Sequence, residues 1–283
     1  MAAFGGHPVF YLFLKPHICS DLSLRFYKYH GTGNDFILID NREDHFTPGK
    51  EIIAWLCHRR FGIGADGLIT LNASGGYDFE MRYFNSDGQE STMCGNGGRC
   101  AVALADYLSL SPKKSRFHAA DGVHTGSILN RDGDTWLVRL SMNDVTDYQY
   151  LGEDFIFNTG SPHLVRFISE ADKIDIVREG RNLRYLDDFR PAGINVNFVE
   201  DEGGQIYVRT YERGVEDETL SCGTGVTASS LAYAAVKGME KGTIPVRTKG
   251  GILNLSFRRD GRVFTEIILE GPAVKVYEGT ILI

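Results

Sequence analysis

Cysteine is sparse and poorly placed for crosslinking: Cys19, Cys57, Cys94, Cys100 and Cys222 are odd in number and widely spaced. That argues against a secreted disulfide scaffold, which needs dense, even cysteines. No C-x-x-C pair occurs, so a zinc ribbon and a thioredoxin-like site are disfavoured and no metal is expected. Positive charge is short as well. Lys and Arg number 30 against 37 Asp and Glu, a formal net charge of −7, whereas nucleic-acid modules carry clustered cations; no nucleic-acid partner is expected. Long apolar runs are missing: Val9–Leu14 ends at Lys15 and Pro16, too short for a signal-peptide core or a membrane span. Neither a Walker Gly-Lys-Ser/Thr nor a G-x-G-x-x-G after a strand is present, which weakens any phosphate-binding reading. These absences place the chain in a reducing cytoplasm, away from membranes.

Glycine, by contrast, is abundant: 33 of 283 residues is about 12%, against a background of about 7%. Without a collagen-like period, that means many tight turns and close backbone approaches. The length predicts about two domains. Residues 1–23 read as an irregular extension. From Leu24 the pattern is strand-rich. Phe26–His30 and Phe36–Asp40 flank a glycine turn, Lys50–His58 has helical spacing, and Tyr77–Phe84 alternates as a half-buried strand does. Arg131-Asp132-Gly133 and Arg259-Asp260-Gly261 read as hairpin turns.

The step from the first of these turns to the second recurs along the chain. At the same offset Tyr83 matches Tyr211, Glu90 matches Glu218, Cys94-Gly95-x-Gly97 matches Cys222-Gly223-x-Gly225, Lys113 matches Lys241 and Gly122 matches Gly250. With the turns this makes ten identities over positions 83–133, where chance would give about three. The chain therefore reads as a duplicated unit. Cys222–Val236 contains no charged residue and Cys94–Ala105 only Arg99; a helix that is apolar all round is buried. The expected fold is α/β (α+β): two pseudo-symmetric halves, each a curled mixed β-sheet around a central helix. The first half covers residues 24–140, with 271–283 returning to it, and the second covers 141–270.

Each central helix starts at a cysteine. A helix N-terminus offers unpaired N–H groups and partial positive charge, which lowers the pKa of a cysteine placed there. The glycine that follows lets the backbone approach an anion. Two such ends facing each other would set two thiols on opposite sides of one substrate carbon: one thiolate removes a proton, the other thiol delivers one, and a stereocentre inverts without a cofactor. A redox pair is the second reading of Cys94 and Cys222. Cys57 and Cys100, on apolar helical faces, read as core residues.

The motifs Tyr29-His30-Gly31-Thr32-Gly33-Asn34-Asp35-Phe36, Gly62-Ile63-Gly64-Ala65-Asp66-Gly67, Phe84-Asn85-Ser86-Asp87-Gly88 and Met93-Cys94-Gly95-Asn96-Gly97-Gly98-Arg99-Cys100 occur in that order. They are followed by Ser161-Pro162-His163, Gly193-Ile194-Asn195-Val196-Asn197, Tyr211-Glu212-Arg213-Gly214 and Ser221-Cys222-Gly223-Thr224-Gly225. The ordered set resembles the diaminopimelate epimerase family from Leu24 to Ile283. The resemblance implies that family's fold and a cofactor-independent interconversion of LL- and meso-2,6-diaminopimelate in lysine and cell-wall precursor biosynthesis, with a homodimer as an allowed assembly. It implies Cys94 and Cys222 as the acid/base pair, and Gly95, Asn96, Gly223 and Thr224 at the reacting carboxylate. It also implies Asn34, Asn85, Asn195, Glu212 and Arg213 at the distant end of the substrate, and His163 and Glu212 tuning the thiols. Gly67 and Ser161 depart from some members, which carry Gln and Asn there. Proline racemases and hydroxyproline epimerases share the duplicated cysteine motif and are the rival enzyme reading. A thiol redox sensor is the rival from another class.

Overall fold

The computed structural model describes residues 22–111 and 113–283. Of the expected extension over residues 1–23, all but Leu22 and Ser23 lies outside the described residues, as does Cys19. The first half contains β1 (Ser23–Gly31), β2 (Asn34–Asn41), α1 (Lys50–Cys57), β3 (Gly67–Asn72), β4 (Phe79–Asn85), β5 (Glu90–Ser91), α2 (Gly95–Tyr107), β6 (Lys114–Ala119), β7 (Gly122–Asp132) and β8 (Thr135–Ser141). There follow β9 (Gln149–Leu151), β10 (Asp154–Asn158), β11 (Pro162–Phe167), α3 (Ile176–Arg184), β12 (Asn195–Asp201), β13 (Ile206–Glu212), β14 (Asp217–Thr219), α4 (Gly223–Val236), β15 (Lys241–Thr248), β16 (Gly251–Asp260) and β17 (Val263–Leu282). The strands join into one continuous sheet.

The two halves repeat one pairing scheme. In the first, β2 and β3 run parallel, β3 and β4 antiparallel, β4 and β6 parallel, and β6 and β7 antiparallel. In the second, β11 with β12, β12 with β13, β13 with β15 and β15 with β16 do the same in the same order. The helices open at Gly95 and Gly223, and β3 and β12 open at Gly67 and Asn195, both at the offset that separates the two Arg-Asp-Gly turns. Register corrects one reading of the repeat. Tyr83 faces Ile69 across β3–β4, whereas Asn197, the counterpart of Ile69 at that offset, faces Thr210 and not Tyr211. Because a one-residue slip reverses the face of a strand, Tyr83 corresponds in space to Thr210. Tyr211 instead points away from α4, and its Cβ packs over Gly180 of α3.

The sheet curls around α2 and α4, whose composition explains their burial. Gly95–Ala105 and Gly223–Ala234 are buried throughout. Small residues let the strands approach: a Cβ on Gly126 would stand 2.3 Å from a Val102 methyl. In α4 the hydroxyls of Thr227 and Ser230 donate to the carbonyls of Gly223 and Val226, both at 2.9 Å, so these two polar groups enter the core already satisfied. Arg99 is fully buried with no carboxylate partner among the described residues. Its guanidinium donates to Gly95 O at 3.1 Å, Asn96 Oδ1 at 2.9 Å, Thr32 Oγ1 at 3.4 Å and Pro272 O at 3.3 Å. Burial still lowers its pKa to about 10. Strand β17 pairs in turn with β16, β8 and β1.

The two helices meet end to end. A Cβ on Gly223 would lie 3.0 Å from Gly95 Cα and 3.2 Å from Asn96 N, and one on Gly95 would lie 3.3 Å from Gly223 Cα. Backbone cannot yield as a side-chain tip does, so a single methyl here forces the helices apart. Gly223→Ala should cost about 1–3 kcal/mol, seen as a lower urea midpoint. Gly122→Ala, with nothing within 4 Å of its Cβ, should change the midpoint only by its backbone strain at positive φ.

Candidate active site

Both cysteines occupy the N-cap position of their helices, in extended backbone: Cys94 at φ −98°, ψ 129° and Cys222 at φ −120°, ψ 113°. Each carbonyl accepts the first helical bond, from Gly98 N at 2.7 Å and Val226 N at 2.8 Å. The glycine contact between the helix starts brings the two thiols into one electrostatic environment, in which each feels Glu212 and Cys222 feels Cys94. Cys222 is 8% exposed; Cys94 is half-buried. An open groove of about 550 Å³, lined by Asp78, Lys114, Arg116 and Arg139 among others, holds neither thiol.

The expected fall in thiol pKa is overturned. Burial pushes both thiols up, and the Glu212 carboxylate adds to it. The N–H groups of Gly97 and Asn96 oppose this at Cys94; the Thr224 hydroxyl and the Gly225 N–H oppose it at Cys222. A helix N-terminus contributes roughly 0.3–1 kcal/mol, less than the desolvation of a buried anion. Glu212 is itself raised by burial and by the nearby Asp66 charge. The core cysteines behave as read: burial raises Cys57 to about 12, and Cys100 further.

The surroundings of the two thiols differ. Beside Cys222, Thr224 Oγ1 lies 3.4 Å from Sγ and 2.9 Å from His163 Nε2. His163 is fully buried. Its Nδ1 faces the Asn197 amide nitrogen at 3.1 Å, and that nitrogen also donates to Leu164 O at 3.0 Å. The Asn197 amide is thereby oriented, Nδ1 must accept, and Nε2 carries the hydrogen. Burial and the nearby Arg213 charge lower His163 to about 3, so the ring is neutral and donates toward the hydroxyls. Ser161 Oγ, 3.0 Å from Nε2 and 3.4 Å from Thr224 Oγ1, closes the cluster.

Beside Cys94 the groups are amides. The thiol donates to Asn34 Oδ1 at 3.7 Å, and Asn34 Nδ2 donates to Asp66 Oδ2 at 2.8 Å. Asp66 and Asp35 share Arg59 at 2.6 and 2.7 Å, which anchors that loop. Asn96 is fully buried. Its Nδ2 donates to Ser221 O at 2.9 Å and Asn34 Oδ1 at 3.3 Å, while its Oδ1 accepts from Arg99. One side chain thus ties the first helix start to the residue before Cys222.

Asn195 donates to Pro162 O at 2.9 Å and accepts from the Arg213 backbone N–H at 2.9 Å. The Arg213 guanidinium makes no ion pair among the described residues. Asn85 ends β4 opposite Gly67, and its side chain makes no hydrogen bond among the described residues. The structure therefore joins Cys94, Cys222, Gly95, Gly223, Asn96, Thr224, Asn34, His163, Asn195 and Glu212, with Arg213 near His163 and Asn85 at the strand end. Sequence reasoning missed Asn197, Asp66 and Arg59. Asn197 had a signal: Asn195 and Asn197 are two apart on a strand and must share a face. No group of three or more His, Cys, Asp or Glu among the described residues is placed to hold a metal ion, and no described helix is long and apolar enough to cross a membrane.

The sequence model of the family described as diaminopimelate epimerase matches residues 26–146 and 155–276. The diaminopimelate epimerase of Flavobacterium psychrophilum is 47% identical over 261 residues, 91% of this chain and 100% of that protein. That of Chlorobaculum tepidum is 41% identical over 89% of this chain and 98% of its own length. Among solved structures, a PhzF-family phenazine biosynthesis protein of Bacillus anthracis superposes with TM-score 0.73 at 15% identity, over 93% of this chain and 100% of that one. A probable proline racemase of Agrobacterium radiobacter K84 gives 0.68 at 16%, over 91% and 92%. At such identities the likeness shows the fold alone.

The raised thiols make reactivity pH-dependent with a definite sign. Only thiolate is alkylated, so modification by iodoacetamide should be slow at pH 7 and rise steadily toward pH 10. Cys94, less buried and less strongly shifted, should react before Cys222, as peptide mapping at partial modification would read.

Proposed function

Because the chain belongs to the diaminopimelate epimerase family, we propose that Cys94 and Cys222 are the two groups that exchange the α-proton of diaminopimelate, interconverting its LL and meso forms. The observation that supports this most is the abutment of two glycine-led helix starts, each preceded by a thiol.

In this reading the reacting carboxylate lies against the free N–H groups at Gly95–Asn96 and Gly223–Thr224. The positive ends of two helices then face one anion. When the thiolate on one side takes the α-proton, the electron pair left on carbon spreads into that carboxylate, where the same N–H groups stabilise the added charge. The thiol on the other side returns a proton to the opposite face. One S–H bond forms, one breaks, and the two cysteines exchange protonation states. The reaction needs no electron sink beyond the substrate's own carboxylate.

The surroundings of each thiol fit this exchange. Thr224, held by the neutral His163, can donate to the Cys222 thiolate, and the N–H groups of Asn96 and Gly97 support the Cys94 thiolate. Glu212 opposes ionisation of both, and an ammonium of the bound substrate beside it would relieve that opposition. Arg213, with Asn85 and Asn195, is the proposed anchor for the distant carboxylate, since a guanidinium offers a bidentate fork. A reducing cytoplasm is the proposed location, as it keeps both thiols available.

Incubation with LL-diaminopimelate in deuterated water should place deuterium at the α-carbon. Cys94→Ser and Cys222→Ser should each lower kcat by about 10²–10⁴-fold, while Cys57→Ser and Cys100→Ser retain most activity; full activity in Cys222→Ser would end the two-thiol reading. A substrate panel tests specificity: the wild type should turn over diaminopimelate and not L-proline. Arg213→Met should lose roughly 10–100-fold in kcat/KM, the worth of a charged hydrogen bond.

A further inference from the structure

The side chains facing α2 and α4 from the two halves show a mismatch. Toward α4, strands β12 and β13 present Asn195, Asn197, Thr210 and Glu212, in the register Asn197 opposite Thr210; the Asn197 and Thr210 oxygens line the backbone of Gly225. Toward α2, strands β3 and β4 present Gly67, Ile69, Tyr83 and Asn85, in the register Ile69 opposite Tyr83 and Gly67 opposite Asn85; the Ile69 methyl lines Gly97. Where the second half carries the amide of Asn195, the first half has no side chain. That place is not open. A Cβ on Gly67 would stand 2.5 Å from Tyr83 Cε2 and 3.1 Å from its hydroxyl, so the phenol tip lies over the Gly67 backbone.

The surroundings of that hydroxyl are acidic. Gly67 follows Asp66, whose carboxylate holds Asn34 beside Cys94. Burial keeps the phenol protonated, and the Glu212 and Asp66 charges add to it. It makes no hydrogen bond among the described residues. Its ring is set edge-on against Phe36, 5.9 Å between centroids, so the tip is held in place by packing rather than by a polar partner. A fixed hydroxyl over the residue that follows Asp66, with no hydrogen-bond partner among the described residues and in the field of Glu212, suits a cationic group that brings its own hydrogens.

We propose that Tyr83 is a substrate-binding residue of the first half, its hydroxyl oxygen accepting a hydrogen bond from an ammonium group of the bound diaminopimelate over the Asp66–Gly67 backbone. This rests on the epimerase reading above. The same packing makes position 67 a glycine, since a Cβ there would meet both the ring and, at 2.6 Å, the Phe84 carbonyl oxygen.

Tyr83→Phe removes the oxygen and keeps the ring over Gly67. The expected result is a KM for LL-diaminopimelate raised about tenfold, the worth of one hydrogen bond to a charged group, with kcat within about threefold and an unchanged melting temperature. Gly67→Asn alone should damage the enzyme by collision. Pimelate, the same diacid without its ammonium groups, should inhibit the wild type and Tyr83→Phe with equal Ki; a residue that only packs would weaken both ligands alike. A wild-type KM in Tyr83→Phe overturns the contact while leaving the epimerase reading in place. If Tyr83→Phe melts below the wild type, the pimelate comparison decides: a raised KM with an unchanged pimelate Ki supports the contact, and KM and Ki raised together overturn it. A wild type that admits no deuterium into diaminopimelate overturns the epimerase reading and this contact together.

Discussion

Two glycines in contact set the geometry on which the rest depends. With Gly95 and Gly223 bare, the N-termini of α2 and α4 approach until backbone touches backbone. The N–H groups at the two ends then converge, and the preceding residues, both cysteines, are held on either side of the junction. Any larger residue would separate two positive helix ends that gain their chemical value by acting on one anion. The buried Arg99 and Asn96 keep that junction from sliding, one bonded to β17 and the other to Ser221.

The site balances burial against ionisation. Water is largely excluded, which raises both thiols and Glu212 and keeps His163 neutral. The same exclusion strengthens every oriented N–H and hydroxyl that remains. The balance is unequal on the two sides: a hydroxyl–imidazole–amide chain stands behind Cys222, and an amide tied to a carboxylate stands behind Cys94. The duplication preserved the backbone frame and let the side chains behind each thiol diverge.

Much of this was legible in the sequence, for identifiable reasons. The charge-free stretch after Cys222 could only be a buried helix, and the strands at Phe26 and Phe36 and the one expected over Tyr77–Phe84, which begins two residues later at Phe79, followed from spacing. The cysteine pair followed from duplication. What failed was arithmetic that ignores strand register: Tyr83 and Tyr211 match in sequence yet face opposite ways, because β4 and β13 are offset by one residue relative to their neighbours. The thiol pKa was misread because a helix end is local and visible in sequence, whereas desolvation depends on everything packed around it. Asp66 and Arg59 act through partners on distant stretches of the chain, which no local pattern announces, whereas Asn197 shares a strand face with Asn195 and could have been found from that spacing. The motif residues Asn34, Asn96 and His163 were reached through family resemblance, since Asn beside glycine reads equally well as a turn.

The path of β17 has a consequence for how the chain reaches this state. Its last residues supply the hydrogen-bonding partner of β1, with Ser23 opposite Leu282 and His30 opposite Val274. Each of those pairs joins the start of the described chain to its end. At roughly 5–20 residues per second, β1 leaves the ribosome on the order of ten seconds to a minute before its partner strand exists. During that interval β1 has only β2 beside it, and its other edge stays open to wrong pairing. The early part of the chain thus depends for its completion on the part made last, and synthesis order makes that edge the vulnerable point of folding.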